Sequence, residues 1–227
     1  NYVYVRSSTN FSDSNEATYA GVFKSVPCVY NKGLIEAVCE VVESIFSRES
    51  FLKSVVYGRL VQEYFNNIRF GVILHKIRDK EPDFSGHINF QCDENRKIEL
   101  IIGPGLGVGI MPFGKKRDKS HRWHIHIDVI NGNYVLTRCD EIKNYIKYAL
   151  DDNGKIVCNT IDEQERAKLE NELDKVIEKV EECILSNSKI REYVKKNNGA
   201  LIEFVAYKEG NDYDIPIVQI RPSAEWG

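Results

Sequence analysis

The chain has 227 residues, of which 42% are hydrophobic and 29% are charged, the composition of an ordinary globular protein. This composition excludes a disordered tail, a collagen-like fibre and a small disulfide-stabilised scaffold. The 31 basic and 34 acidic residues give a formal net charge of −3, so the charge does not predict nucleic-acid binding. The single methionine is Met111, so the chain does not begin with an initiator methionine. We therefore expect it to be a fragment of a longer polypeptide.

The cysteine pattern bears on the compartment. Six cysteines are scattered along the chain without a Cys-x-x-Cys pair, which argues against a disulfide framework or a zinc site. This pattern favours a reducing, cytoplasmic location. No apolar run approaches the ~18 residues of a membrane-spanning helix, so we expect no membrane partner.

The amino-terminal third of the chain alternates between strand-like, polar and helical patterns. The predicted elements are a strand over 2–6, a polar loop over 7–21, a helix over about 33–47, and strands over 55–65 and 69–75. The strands rest on β-branched and aromatic residues, whereas the helix rests on apolar residues three and four apart. Cys39 falls within that helical pattern, where a free cysteine is expected to behave as a small core residue.

The rest of the chain predicts strands, then helices, then strands again. The predicted strands of the middle cover 87–91, 97–102, a hairpin at 123–137, and a pair at 145–150 and 155–158. The last third predicts helices over 162–185 and about 188–196, followed by strands over 200–207 and 215–221. Together these elements predict one α+β unit, mainly antiparallel sheet flanked by helices.

The last hairpin carries the most informative polar residues. Glu203 lies on its first strand, while Gln219 and Arg221 project from one face of the second strand because they are two residues apart. If the strands pair around the turn at 209–212, Glu203 and Gln219 approach each other. A carboxylate and an amide oxygen suit Mg²⁺ that also holds phosphate, and Arg221 suits charge on a moving phosphoryl group. A surface hairpin with a polar face is the alternative.

Arg6 is a second candidate for phosphate binding. It ends the first predicted strand and precedes Ser7 and Ser8. An arginine beside small hydroxyl residues suits bidentate phosphate contacts, although a solvated strand-end arginine is the alternative.

Four blocks of sequence follow one another in an order that resembles a known family. They are VRSSTNFSDSNEATYAGVFKSV (5–26), GLIEAVCEVVESIFSRES (33–50), LVQEYF…FGVILH (60–75) and IEFVAYKEG…IVQIRP (202–222). With these blocks the chain resembles the nucleotide-binding domain of pyruvate phosphate dikinase, phosphoenolpyruvate synthase and rifampicin phosphotransferase, while residues of about 80–190 match loosely. The resemblance implies an ATP-grasp-like fold, of which residues 1–227 are the carboxy-terminal lobe.

The resemblance also implies cofactors, partners and residue roles. The cofactors are ATP and Mg²⁺, and the partners are the parent protein's missing amino-terminal lobe and phosphohistidine domain. The implied contacts are Arg6 with phosphate, Glu203 and Gln219 with metal, Arg221 with the transferring group, and a hinge strand of Gln62, Glu63 and Tyr64 along the adenine. The implied activity is ATP-dependent phosphotransfer to a histidine on another domain, and then to pyruvate or a related acceptor. We expect the isolated fragment to be inactive.

Two departures from the family pattern motivate a different function. Leu201 stands two residues before Glu203, where the family has Asp, and Val108 stands where the family's Gly-Leu-Gly-Glu motif has Glu. Neither side chain accepts a hydrogen bond. The alternative is therefore a degenerate homologue that binds nucleotide or a partner without catalysis.

Two other motifs leave alternatives open. His124 and His126 share a strand face with Asp128, which is compatible with a zinc site or with a polar strand face near nucleotide. The basic run KKRDKSHR at 115–122 is either a solvated loop or a phosphate-facing loop.

Overall fold

The structure is a computed structural model that describes residues 2–10, 13–14, 17–18, 23–56, 61–76, 80–91, 98–107, 121–130, 133–142, 146–152 and 155–222. These residues form a mixed α+β protein with mainly antiparallel sheets, which confirms the predicted fold class at that level. Contacts divide the chain into a first unit, Asn1–Lys80 with Leu150–Val157, and a second unit, Glu81–Ala149 with Cys158–Gly227. Assignment of residues 1–227 to one lobe of an ATP-grasp-like fold stays a prediction.

The first unit contains short strands and helices. Its described elements are β1 (Tyr2–Thr9), β2 (Asp13–Ser14), β3 (Ala17–Thr18), β4 (Ser25–Val29), α1 (Leu34–Ile45), α2 (Arg48–Val56), α3 (Val61–Asn67) and β5 (Phe70–Lys76). An antiparallel sheet has the order β4-β1-β5, and β2 pairs with β3. Strand β1 continues through Ser7–Thr9 because these residues pair with β5, so the predicted polar loop begins later than residue 7.

Helix α1 covers one face of the three-stranded sheet. Ala37 and Val41 of the helix pack against Val3 and Val5 of β1, as the apolar spacing predicts. Because side chains alternate along a strand, Tyr4 and Arg6 lie on the opposite face. Cys39 is exposed on this helix, so its predicted place in the core is wrong.

The strand predicted over 55–65 is wrong, since α2 extends to Val56 and α3 begins at Val61. Tyr64 and Ile68, four residues apart, are buried against Ile45. That spacing is helical, although the aromatic and β-branched composition of the segment favours a strand. The burial of one side of α3 therefore overrides its strand propensity.

The second unit is built around a large sheet. Its described strands are β6 (Phe84–Gln91), β7 (Ile98–Pro104), β8 (Arg122–Ile130), β9 (Asn133–Ile142), β12 (Gly199–Glu209), β13 (Asp212–Asp214) and β14 (Ile217–Pro222). A two-stranded sheet pairs β10 (Ile146–Leu150) with β11 (Ile156–Thr160), of which Leu150 and Ile156–Val157 are grouped with the first unit. The large sheet has the order β13-β12-β6-β7-β8-β9, and β14 also pairs with β12. The predicted hairpins of β8 with β9 and of β12 with β14 are confirmed.

Helices cover one face of this sheet. They are α4 (Glu163–Val180), a π-helical turn (Glu181–Leu185) and α5 (Ser188–Lys196). Asp162 caps α4 by accepting a hydrogen bond from the Glu165 amide at 2.7 Å, as helix N-caps do. Leu173 and Val176 pack against the sheet's apolar side chains. The long helix therefore buries one apolar stripe in the core of the second unit.

No helix in the described part of the chain combines the length and apolar character needed to cross a membrane.

Candidate functional site

The face of the large sheet that turns away from α4 and α5, here called the polar face, carries polar side chains on neighbouring strands. Strand register places the following residues on it: His87 and Asn89 of β6, Glu99 of β7, His124 and His126 of β8, Leu201 and Glu203 of β12, and Gln219 and Arg221 of β14. The alternate residues of β6 and β12, including Ile88 and Ile202, are buried in the helix-covered core. Strand alternation thus separates the helix-covered face of the sheet from the polar face.

Glu203, Gln219 and Arg221 come together as predicted. Glu203 lies directly opposite Gln219 in the β12–β14 register. Arg221 Nη2 donates a hydrogen bond to Glu203 Oε1 at 3.2 Å, and the two side chains are only 11% and 12% exposed. Solvent screens such a pair less than it screens a surface salt bridge. The sheet therefore holds the guanidinium in place next to the carboxylate and the amide.

His87 lies on the other side of Glu203 and was not predicted as a site residue. The β6–β12 register places it directly opposite Glu203, and it is 3% exposed. The sequence could have indicated which face His87 occupies. His87 precedes the apolar Ile88 in a segment that is correctly predicted as a strand, and neighbouring residues of a strand lie on opposite faces. Which strand β6 pairs with, and hence that His87 faces Glu203, depends on long-range topology that local patterns do not encode.

Leu201 occupies the next row of the polar face. It lies between Arg221 on β14 and Asn89 on β6 and is 7% exposed. An apolar side chain there supplies no oxygen beside Glu203. Val108 and the basic run from Lys115 to Ser120 lie outside the described residues.

Arg6 belongs to the first unit, on the face of β1 opposite α1, and is half-buried. Burial and the nearby Arg6 guanidinium lower the pKa of His75. The positive charge of Arg6 therefore acts on His75 at this sheet face, and a guanidinium is compatible with an anion ligand.

The predicted hinge residues do not lie on a strand. Gln62, Glu63 and Tyr64 are in α3, where backbone groups bond along the helix. The backbone oxygen of Tyr64 accepts from the Ile68 amide at 2.9 Å, and its buried hydroxyl donates to the Ile45 oxygen at 2.7 Å. The expected adenine contact relied on extended backbone, so it loses its geometric basis.

His121 and the two histidines of β8 occupy different environments. His124 and His126 share the polar face as predicted, and His126 Nε2 lies 4.0 Å from Glu99 Oε1. His121 is buried, with its ring centroid 4.5 Å from that of Trp123. Among the described residues, no three His, Cys, Asp or Glu side chains are grouped closely enough to hold a metal ion.

The second unit also has a cavity of about 300 Å³, lined in part by Lys147, Glu165, Glu172, Lys208 and Tyr213. Glu172 Oε2 lies 3.0 Å from Lys208 Nζ and accepts a hydrogen bond from the Tyr213 hydroxyl at 3.1 Å. The hydrogen bond from Lys208 is the main cause that lowers the pKa of Glu172. Lys147 pairs with Glu165. These charged pairs form part of the cavity wall, and none of the predicted site residues lines it.

No protein-family model matches the sequence, and a search of curated proteins finds no match.

Proposed function

We propose that the chain contributes the ATP-binding lobe of a dikinase-like phosphotransferase, with an ATP-grasp-like nucleotide-binding domain and a cytoplasmic location. The observation that carries this proposal is the common placement of Glu203, Gln219 and Arg221 on the polar face. Within it, Mg-ATP binds at this face and phosphate passes to a histidine of another domain and then to pyruvate or a related acceptor. The missing amino-terminal lobe and the phosphohistidine domain of the parent protein are its partners.

The donor set is compatible with Mg²⁺. Glu203 and Gln219 offer a carboxylate and an amide oxygen from directly opposed positions, and Mg²⁺ is usually held by one or two protein oxygens together with phosphate and water. When bound, the cation neutralises charge on phosphate oxygens. Glu203 and Gln219 would hold it, with no carboxylate at Leu201 to assist them.

The arginines act on the phosphates. Arg221 is held by its hydrogen bond to Glu203, so its guanidinium has a preorganised orientation, which suits charge that develops on a transferring group. Arg6 is a separate candidate phosphate contact within the first unit, as the family resemblance implies. Positioning and electrostatic stabilisation are the main protein contributions to phosphoryl transfer.

A binding titration tests the proposal. We expect Mg-ATP to shift the backbone amide resonances of β12 and β14 in NMR spectra, with weak affinity because the chain contains only part of the proposed cradle. Arg221→Met should lower the affinity at least tenfold, whereas Lys189→Met, on the exposed side of α5, should leave it unchanged. An absence of shifts at millimolar Mg-ATP, or shifts confined to other strands, would contradict the proposal.

Leu201 favours a second candidate function, a degenerate homologue that binds nucleotide or a partner without catalysis. Its apolar side chain lies in the row beside Glu203, so the carboxylate of the family pattern is missing at the polar face. A phosphotransfer assay on the parent polypeptide separates the two candidates. Turnover that is lost in Glu203→Ala and Arg221→Ala supports the first candidate, and tight ATP binding without turnover supports the second.

A further inference from the structure

The residues on both sides of Glu203 bear on the identity of the bound cation. Gln219 is opposite Glu203 on β14, and His87 is opposite it on β6. Three donor-bearing side chains therefore form one row across three adjacent strands, with the carboxylate in the middle.

The spacing of this row suits a single ion. Neighbouring strands are ~4.8 Å apart, and directly opposed Cβ atoms are about 4.5–5.5 Å apart. A cation above Glu203 therefore lies midway between Gln219 and His87, within reach of an extended amide side chain and of an imidazole. His87 is 3% exposed, so the surrounding side chains restrict its ring.

The geometry points to His87 as a third ligand of the cation at Glu203 and Gln219, an inference that rests on the proposed function for the location of the cation. Imidazole is a good ligand for first-row transition metals, whereas Mg²⁺ prefers oxygen. A carboxylate, an amide oxygen and an imidazole make the site selective for Mn²⁺ or a similar transition metal over Mg²⁺.

The ion pair with Arg221 is compatible with this ligation. The Arg221 hydrogen bond engages Glu203 Oε1, and a carboxylate accepts bonds at both oxygens. The proposed ligands are one histidine (His87), one carboxylate (Glu203) and one amide (Gln219). They are therefore consistent with the finding that the described residues contain no metal-binding group of three His, Cys, Asp or Glu side chains.

Pulsed electron paramagnetic resonance of Mn²⁺ bound to the 227-residue chain tests the inference. We expect nitrogen coupling from a directly ligated imidazole in the wild-type chain. His87→Gln should remove that coupling and weaken Mn²⁺ binding about tenfold. His75→Gln is the control, because His75 is a histidine of the first unit, outside the proposed ligand row, and should change neither quantity.

Labelling keeps the test informative if His87→Gln does not fold. In wild-type chain with histidine carrying the heavier nitrogen isotope, the coupling should change to that of the new isotope. Absence of nitrogen coupling, its persistence in folded His87→Gln, or Mg²⁺ displacing Mn²⁺ at equal concentration would overturn the inference.

This result is separable from the test of ATP binding. Nitrogen-coupled Mn²⁺ without any ATP binding would retain the metal site and reject the nucleotide proposal. ATP binding with Mn²⁺ held through oxygen alone would retain the nucleotide proposal and reject ligation by His87.

Discussion

Arg221 and Glu203 form a hydrogen-bonded ion pair at 3.2 Å across β12 and β14, with both side chains about nine-tenths buried. The two residues lie in adjacent rows of the same sheet face, so their pairing crosses the strands diagonally. At this burial neither charge regains full hydration if its partner is removed. The two candidate site residues therefore also contribute to the stability of the pairing between β12 and β14.

Arg221→Met should lower the free energy of unfolding by about 1–3 kcal/mol, because it leaves the Glu203 carboxylate buried without its cation. Adding Glu203→Gln should recover part of that loss. Urea denaturation followed by tryptophan fluorescence measures both changes. Lys24→Met is the control, since Lys24 and its partner Glu40 are 58% and 52% exposed, and it should change stability by less than ~0.5 kcal/mol. A single and a double variant of equal stability would contradict coupling between the two charges.

Tyr64→Phe should destabilise the first unit by about 1–2 kcal/mol. The fully buried hydroxyl donates to the Ile45 oxygen, and its removal leaves that buried carbonyl without this donor. Hydrogen exchange of the α1 and α3 amides measures the effect locally. Tyr30→Phe, at a side chain that is 50% exposed, should leave exchange unchanged. Normal protection in Tyr64→Phe would show that the hydroxyl contributes little.

Local patterns predict the sheet-rich carboxy-terminal half of the chain better than the segment around α2 and α3. The sequence pattern does not reveal the buried face of α2, because the buried positions of this helix are Ser50 and Ser54 and hydropathy does not identify serine as a core residue. The burial of Ser50 is tolerated because its hydroxyl donates a hydrogen bond to the Ser44 oxygen at 2.7 Å. A polar contact of that kind depends on tertiary packing, so hydrophobic periodicity cannot reveal it.

The candidate site is predictable only along a hairpin. Gln219 and Arg221 share a face by strand alternation, and one short connection brings them to Glu203. His87 comes to lie directly opposite Glu203 through the pairing of β6 with β12, which are more than one hundred residues apart in sequence. The boundary between the two units near residue 80 is likewise not marked by a Pro-, Gly- or Ser-rich linker.

Gly86→Ala should destabilise the second unit by about 1–3 kcal/mol. A Cβ at this position would lie 2.5 Å from Phe204 Cζ and 2.6 Å from the Ile101 oxygen, and a packed core resists such additions. Urea denaturation followed by tryptophan fluorescence measures the loss, because Trp123 is in the same core. Gly71→Ala is the control within a strand, since a Cβ there meets nothing within 4 Å. Equal stability of the Gly86 variant and the wild type would mean that Phe204 and the Ile101 backbone move away from β6 at little cost in free energy.

Arg6→Met should raise the pKa of His75 without restoring its ordinary value of about 6.5. Burial is the larger cause of the lowered pKa and persists in the variant, whereas the repulsion between Arg6 and protonated His75 disappears.

Because the folded state disfavours the imidazolium, the unfolded chain binds the proton more readily. This contribution to stability is complete above the unfolded pKa and is lost as pH falls through about 6.5 toward the folded pKa. Arg6→Met should therefore weaken the loss of stability on acidification. NMR titration of the His75 ring measures the pKa, and Lys76→Met, on the opposite face of β5, should leave it unchanged. An unchanged titration in Arg6→Met would mean that the guanidinium does not act on this face, and would remove the electrostatic basis for placing a phosphate there.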